Sequence, residues 1–279
     1  MSLNFNKSLV LPWSDELSQK EPYEYPFLSS YVRKNKTLHY IATLHSTEEG
    51  SETFKLIEET IKKNSINIVI VEGIPNSRGI SPDSFKNWAN NQGKEGRYDG
   101  FETAFTIKTS VALNISFIGG EPEEIFIYDK LVSQNFKIED YLFYTFIQQL
   151  FQAKEAKTLD TLSLESKFNN FIKQKISQLN INKNFTLNDF YDWYLSNNLA
   201  SFNIDDIIPE TCAPYSSGRL LTQKVSSAIC ILRDQFIVSV IEKSLNSYNN
   251  VLVVYGGSHW STQRESLENT LGVPKFSQL

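Results

Sequence analysis

Two of the three histidines in this chain follow strand-like apolar runs. His45 ends the stretch TLHYIATLH, and His259 ends VLVVYGGSH after a pair of glycines. Two carboxylates have similar positions, because Glu72 follows NIVIV and Glu121 follows ISFIGG. Imidazole and carboxylate groups together bind divalent metals, and they also activate water without a metal when histidine acts as the base. The expected catalytic and metal-binding set is therefore His45, Glu72, Glu121 and His259.

Each of these positions also has a structural interpretation. A histidine after a strand is often only a hydrogen-bonded loop residue. Glu121 precedes Pro122 and can cap the next helix, since proline suits the first helical position and acids suit the first turn. His39 lies inside the first apolar run without a partner pattern, and we interpret it as structural. Gly256 and Gly257 either turn the backbone where a Cβ would clash or let a ligand approach the main chain.

Arg233 is a further candidate, on a helix predicted over about 219–246. Ile229 and Phe236 share its face at helical spacing. A guanidinium on an apolar stripe needs a partner, which a carboxylate or an anionic intermediate supplies. The alternative is that Arg233 lies at the edge of the stripe and reaches water. We expect Arg233 to stabilise an oxyanion and Asp234 to orient a neighbouring group.

The elements that must position these side chains alternate between strand and helix. Helical periodicity marks 49–63, 100–113 and 219–246, and the expected strands are 37–44, 67–73, 114–120 and 251–257. Continuous branched apolar runs indicate strands covered on both faces. The predicted fold class is α/β, with a mostly parallel central sheet, flanking helices and a helical insertion in the middle of the chain. Ligands bind such sheets at the carboxyl ends of the strands, where the four side chains are expected to meet.

The chain is expected to begin with a loop-rich N-terminal arm over residues 1–36, which are polar and contain prolines at 12, 22 and 26. Residues 37–279 are expected to form a single α/β domain. Within it, residues 122–215 are rich in Lys, Asn, Gln and aromatic side chains, and we expect a mostly helical insertion or lid. Trp193 and the other aromatic residues of that stretch either line a pocket or form a core.

The composition argues against several classes of protein. The chain has 279 residues, enough to bury a sizeable core, and a net charge of −5 without a dense Lys/Arg stripe, so we expect no nucleic-acid partner. It shows neither a signal-peptide apolar region nor an apolar run of about 18 residues. We therefore expect a cytoplasmic protein without a membrane span. No signature supports a cysteine nucleophile, a GxSxG serine, an HExxH metal site or a phosphate-binding glycine loop.

The order of these features along the chain is similar to that of a known superfamily. The features are AxxH at 42–45, the glutamate at 72, GGEP at 119–122, RD at 233–234 and GGSH at 256–259. This order resembles the TraB/ChaN/TIKI/erythromycin-esterase-like superfamily, which carries two GxxH motifs near its ends, an intervening glutamate and an arginine on a late helix. The resemblance covers about 37–125 and 219–260, and Ala42 replaces the glycine of the first motif.

The resemblance implies several different activities. TIKI-like members are metal-dependent proteases, erythromycin-esterase-like members hydrolyse an ester with histidine-activated water, ChaN-like members bind haem, and TraB-like members are implicated in peptide-pheromone shutdown. We expect a hydrolase for a peptide or ester bond in a peptide or small-molecule substrate, with or without a divalent metal (Mn, Co, Fe or Zn). The alternatives are a metal-free esterase, a non-catalytic protein that binds haem or a small ligand, and a scaffold that has lost its chemistry. The sequence indicates no particular oligomeric state.

Overall fold

The computed structural model describes residues 2–198, 200–215 and 217–278. The strands are β1 (Phe27–Arg33), β2 (Lys36–Thr43), β3 (Ile68–Pro75), β4 (Ser116–Glu121), β5 (Asn250–Gly256) and β6 (Lys275–Ser277). The helices are α1 (Asp15–Ser18), α2 (Glu52–Lys63), α3 (Asp83–Asn90), α4 (Phe101–Ala112), α5 (Glu124–Ser133), α6 (Ile138–Glu155), α7 (Leu164–Leu179), α8 (Leu187–Asn198), α9 (Pro209–Cys212), α10 (Leu221–Ser247) and α11 (Gly257–Leu271).

The six strands form one mixed sheet in the order β4-β3-β5-β2-β1-β6. The four strands β4, β3, β5 and β2 are parallel neighbours. Strand β1 pairs antiparallel with both β2 and β6. The predicted α/β class with a mostly parallel sheet is therefore confirmed. The four strands that were expected to carry the chemistry lie side by side, so their carboxyl ends meet at one end of the sheet.

Both faces of the sheet are covered, as continuous apolar strands require. In β5, Val251, Val253 and Tyr255 point into a core with the later part of α10 and with α11. The alternate residues Leu252 and Val254 point into a second core with α2 and α4. This alternation follows from the two-residue period of a strand.

The expected loop-rich arm contains a strand, so that expectation is wrong for residues 27–33. Phe27, Ser29 and Tyr31 are buried on one face of β1, while the residues between them are only partly buried. The whole strand is paired with β2 in antiparallel register. The period-two pattern of FLSSYVR is typical of an outer strand, but the prolines and polar residues before it favoured a loop.

The chain divides into two compact units. The sheet unit comprises 1–11, 15–123 and 233–279, and the helical unit comprises 12–14 and 124–232. Helices α5 to α9 and the first part of α10 belong to the helical unit. Its core is aromatic and includes Phe143, Phe168, Phe190 and Trp193. The aromatic residues of this stretch thus form a core, and the role of 122–215 as an insertion or lid stays a prediction.

The outer edge of the sheet at β4 is covered by the segment that follows β3. Ser81 accepts a hydrogen bond from the Phe117 N–H at 2.9 Å and donates its own N–H to the Phe117 carbonyl at 2.7 Å. Asn76 donates its side-chain amide to the Gly119 carbonyl at 2.8 Å. These bonds satisfy main-chain groups that an edge strand otherwise leaves open.

Candidate active site

The ends of the four parallel strands place the expected residues in different local settings. His45 lies two residues beyond β2, and Glu121 is the last residue of β4. Glu72 lies inside β3 rather than after it, at the point where the pairing with β4 changes register between Val71 and Pro75. His259 lies in the first turn of α11, which begins directly after β5.

His45 is exposed to solvent and is held by a buried carboxylate. Its side chain is 58% exposed, and its Nδ1 lies 2.5 Å from Oε1 of Glu102. The Thr43 hydroxyl donates to the same oxygen at 3.0 Å. The hydrogen bond to Glu102 raises the pKa of His45, and burial opposes it only in part. The carboxylate fixes the orientation of the ring and stabilises its charged form, as in catalytic histidine–carboxylate pairs.

Glu102 is a site residue that the sequence analysis missed. It lies in the first turn of α4 and is 1% exposed. An acid in the first turn of a helix is ordinary, because it complements the helix dipole, so the local sequence does not distinguish Glu102 from the other acids in such positions. Its second oxygen, Oε2, is buried and has no hydrogen-bond partner among the described residues. A buried carboxylate oxygen without a partner is costly, and a proton or a cation bound there removes that cost.

Glu72 lies at the centre of the site and is held ionised. Its Oε2 accepts a hydrogen bond from the Gly256 N–H at 2.8 Å. Its Oε1 lies 3.5 Å from Nε2 of His259 and 3.8 Å from Nη2 of Arg233. Burial alone raises the pKa of Glu72, but the hydrogen bond and charge of His259, the charge of Arg233 and the Gly256 N–H outweigh it and lower the pKa to about 2. Glu72 is therefore a carboxylate over the whole physiological pH range.

His259 is buried between two carboxylates. Its Nδ1 lies 2.6 Å from Oδ1 of Asp234, and its Nε2 faces Glu72. Burial lowers the pKa of His259, but the charges and hydrogen bonds of Asp234 and Glu72 raise it well above the ordinary histidine value. The Asp234 carboxylate also accepts from Thr262 at 2.8 Å and from Gln263 at 2.7 Å. Asp234 thus orients the His259 ring through Nδ1, while Nε2 of that ring faces Glu72.

Arg233 and Glu121 are partners. The guanidinium donates from Nε and Nη2 to the two oxygens of Glu121, each at 2.9 Å. Such paired bonds fix the plane of the guanidinium as well as its position. The sequence offered a carboxylate or an anionic intermediate as the partner of Arg233, and in the structure the partner is the Glu121 carboxylate. Glu121 is 8% exposed, and its contact with Arg233 sets the distance of that cation from Glu72.

The glycines after β5 provide space rather than an unusual backbone conformation. The φ angle of Gly256 is −51°, which any residue can adopt. A Cβ on Gly256 would lie 3.1 Å from Nε2 of His45 and 3.5 Å from Oε2 of Glu72, so the ring of His45 rests against the bare backbone. A Cβ on Gly257 would lie 2.1 Å from the ring of Tyr25. A side chain at position 257 would therefore displace the ring of Tyr25, whereas one at position 256 would push the ring of His45 away by a few tenths of an ångström.

The side chains that fit a cation differ from the expected set. One ligand atom from each of His45, Glu72 and Glu102 lies within 4.8 Å of the others. This group shares His45 and Glu72 with the expectation, and it has Glu102 where His259 and Glu121 were expected. Two carboxylates and one imidazole suit a first-row divalent metal. The buried Oε2 of Glu102, which no described residue satisfies, also fits a bound cation.

Three other side chains that can act as nucleophiles or bases are held neutral by burial. Burial raises the pKa of the Cys212 thiol to about 12, so the reactive thiolate is scarce near neutral pH. Burial also raises the pKa of the Tyr40 and Tyr255 phenols, and the charge of Glu72 adds to both shifts.

No protein-family model, curated protein or solved structure matches this chain. Among the described residues, no helix is both long and apolar enough to cross a membrane.

Proposed function

We propose that this protein is a hydrolase in which His45 is the general base. The observation that carries the proposal is the pairing of an exposed imidazole with a buried carboxylate, at the end of a parallel sheet where ligands bind. Nδ1 of His45 lies at the Glu102 carboxylate, so a neutral ring bonded there carries its proton on Nδ1 and keeps a lone pair on Nε2. The substrate class is an ester or a peptide bond, in a peptide or a small molecule.

The residues of the site divide the reaction between them. His45 takes a proton from water at Nε2 while the water oxygen attacks the carbonyl carbon, and Glu102 stabilises the imidazolium that forms. The intermediate collapses as the carbon–oxygen or carbon–nitrogen bond breaks, and His45 returns the proton to the leaving group. Arg233 and the protonated His259 supply the positive charge that a developing oxyanion needs. Glu121 holds Arg233 in place, and Glu72 lies between the two cations.

A metal-dependent form of the same reaction is the second candidate, and the grouping of His45, Glu72 and Glu102 favours it. These three residues would hold a divalent ion such as Mn, Co, Fe or Zn. A bound ion lowers the pKa of water and polarises the substrate carbonyl. His259 then stays paired with Asp234 and acts through its charge.

We also propose membership of the TraB/ChaN/TIKI/erythromycin-esterase-like superfamily. Two observations support this membership. The strands whose ends carry the four motifs are neighbours in the sheet; the motifs are AxxH, the glutamate, GGEP and GGSH. The arginine of the RD pair also lies beside that glutamate. The haem-binding alternative of ChaN-like members rests on the resemblance alone. A Soret band that appears on adding haem, and that is lost in His45→Ala, would support it over hydrolysis.

We propose that the helical unit is an insertion in the chain of the sheet unit. Residues 124–232 interrupt the sheet unit between 123 and 233 in sequence. The two ends of that interruption are held together by the bonds between Glu121 and Arg233. A chain in which a short flexible linker replaces 124–232 is therefore expected to keep the circular-dichroism spectrum of an α/β fold, and a random-coil spectrum would contradict the insertion.

The test of the hydrolase proposal is an assay of ester and peptide panels with the full chain, with and without chelator. We expect turnover that falls strongly in His45→Ala and in Glu102→Gln. The matched control is Glu52→Gln, since Glu52 is a first-turn acid of α2 that is exposed. Loss of activity with chelator, together with bound metal that is lost in Glu102→Gln, selects the metal-dependent form. Absence of turnover under all conditions, or equal turnover in His45→Ala, contradicts the proposal.

A further inference from the structure

An exposed aromatic ring lies beside the proposed base. Phe101 is 47% exposed, and its ring centroid is 6.1 Å from that of His45 in an edge-on arrangement. Leu44, which directly precedes His45, is 59% exposed. A large apolar side chain at such exposure forgoes the free energy of burial. The ring of Phe101 therefore places exposed apolar surface beside the imidazole, and Leu44 adds a second exposed apolar side chain next to it in sequence.

The backbone of Phe101 is in the left-handed region, with φ of 51°. A bulky residue is rare there, because its Cβ crowds the neighbouring carbonyl. Such conformations persist where the surroundings enforce them, and they concentrate at functional sites. The next residue is Glu102, which binds His45. The conformation thus occurs at the residue that joins the apolar ring to the catalytic carboxylate.

We propose that Phe101, with Leu44, binds an apolar group of the substrate next to the scissile bond and so determines specificity. This inference rests on the proposed hydrolase function and deepens it, because it names the substrate class as esters or amides with an apolar acyl or side-chain group. The ring stays exposed in the free protein because its partner is the substrate. Glycine, which suits this backbone better, would leave no surface for that contact.

The experiment is a comparison of kcat/KM for p-nitrophenyl acetate, butyrate and hexanoate. Complete burial of each added CH₂ is worth about 0.8 kcal/mol, so kcat/KM is expected to rise by up to about fourfold per carbon in the wild type. We expect the ratio of hexanoate to acetate to fall at least about fivefold in Phe101→Ala and to recover in Phe101→Leu. Phe101→Gly, which relieves the left-handed backbone, gives a second variant without the ring if the alanine variant folds poorly.

The matched control is Leu113→Ala, since Leu113 is 45% exposed and lies at the opposite end of α4. An unchanged chain-length ratio in Phe101→Ala or Phe101→Gly would overturn the proposal. If the wild type hydrolyses none of these esters and no member of the wider ester and peptide panels, the hydrolase proposal fails, and binding tests the apolar surface separately. In that case saturation-transfer NMR with hexanamide decides: a signal lost in Phe101→Gly supports the surface, and an equal signal in both proteins overturns it.

Discussion

The two histidines that follow parallel strands have opposite environments. Each has a carboxylate on Nδ1, Glu102 for His45 and Asp234 for His259. The side chain of His45 is 58% exposed, whereas that of His259 is 10% exposed and has a second carboxylate, Glu72, on Nε2. Similar sequence positions therefore provide different chemistry. One ring is available to exchange a proton with water, and the other is a buried cation that organises the carboxylates around it.

The largest expected effect is on turnover, from removing the exposed ring. His45→Ala is expected to lower kcat by roughly 10²- to 10⁴-fold, the usual contribution of a positioned general base. Its unfolding free energy is expected to fall by about 1–3 kcal/mol, because the ring itself is exposed but the buried Glu102 carboxylate loses a partner. Kinetics and urea denaturation of the same preparation check both statements. A loss of stability comparable to that of a buried-site variant would show that the two histidines do not differ as described.

The next effect is on stability, from the buried cation. Asp234→Ala leaves His259 without its Nδ1 partner and removes the acceptor of Thr262 and Gln263. Breaking a buried ion pair in this way typically costs about 3–5 kcal/mol, which urea denaturation measures as a lower midpoint. The control is Asp99→Ala, because the Asp99 side chain is 80% exposed and exposed ion pairs contribute at most about 1 kcal/mol. Equal effects of the two substitutions would contradict the buried pair.

The pKa values of the three histidines are expected to differ in order as well as in direction. Burial lowers the pKa of His39, whereas the pKa of His45 is raised and that of His259 is raised well above the ordinary value. With only three histidines in the chain, NMR titration of the ring protons in chelator should resolve three midpoints in the order His39, His45, His259. Any other order contradicts the assignment of the exposed ring as the base and the buried ring as the cation.

The same shifts fix the sign of the stability change. His39 binds its proton less readily when folded, so its contribution is present above the unfolded pKa of about 6.5 and is lost as the pH falls through the folded pKa. His259 binds its proton more readily when folded, so its contribution is complete below about 6.5 and is lost as the pH rises through the folded pKa. Difference curves of wild type against His39→Gln and against His259→Gln should therefore slope in opposite directions.

A smaller effect concerns the backbone that joins Phe101 to Glu102. Phe101→Gly is expected to be about 1 kcal/mol more stable than Phe101→Ala, because only alanine retains the cost of the left-handed conformation. Urea denaturation of the two variants measures this difference. At Leu113, in an exposed position after α4, the same pair of substitutions should show no such advantage for glycine. An alanine variant as stable as the glycine variant at 101 would contradict the strain.

The sheet was predictable from the sequence because its signals are local. The apolar runs that end near Thr43, Pro75, Glu121 and Gly256 are long enough to mark strands, and their alternation with helices predicted parallel pairing. Strand β1 was missed, since its alternating pattern is short and follows a segment rich in prolines. Tertiary contacts stabilise β1 as a strand: it pairs with β2 and β6, and its Phe27 packs against Trp260.

The sequence identified which residues were candidates for the site, but it did not predict which of them contact each other. The four strand-end residues and Arg233 were recognisable because a charged or polar group directly after an apolar strand, or on an apolar helix face, is unusual. Glu102 was not, since its contact with His45 joins residues 57 apart in sequence and its own setting is an ordinary helix start. The pairing of Arg233 with Glu121 likewise depends on tertiary structure, because the two are 112 residues apart.

The covered outer edge of β4 bears on how copies of this protein behave at high concentration. Ser81 and Asn76 already bond the outward groups of Phe117 and Gly119, which an intruding strand of a neighbouring copy would need. At the other end of the sheet, β6 has three residues and begins with the exposed Lys275. Both devices oppose edge-to-edge aggregation. Replacing Ser81 and Asn76 together by alanine is expected to increase light scattering on concentration, and unchanged scattering would show that these bonds do not protect the edge.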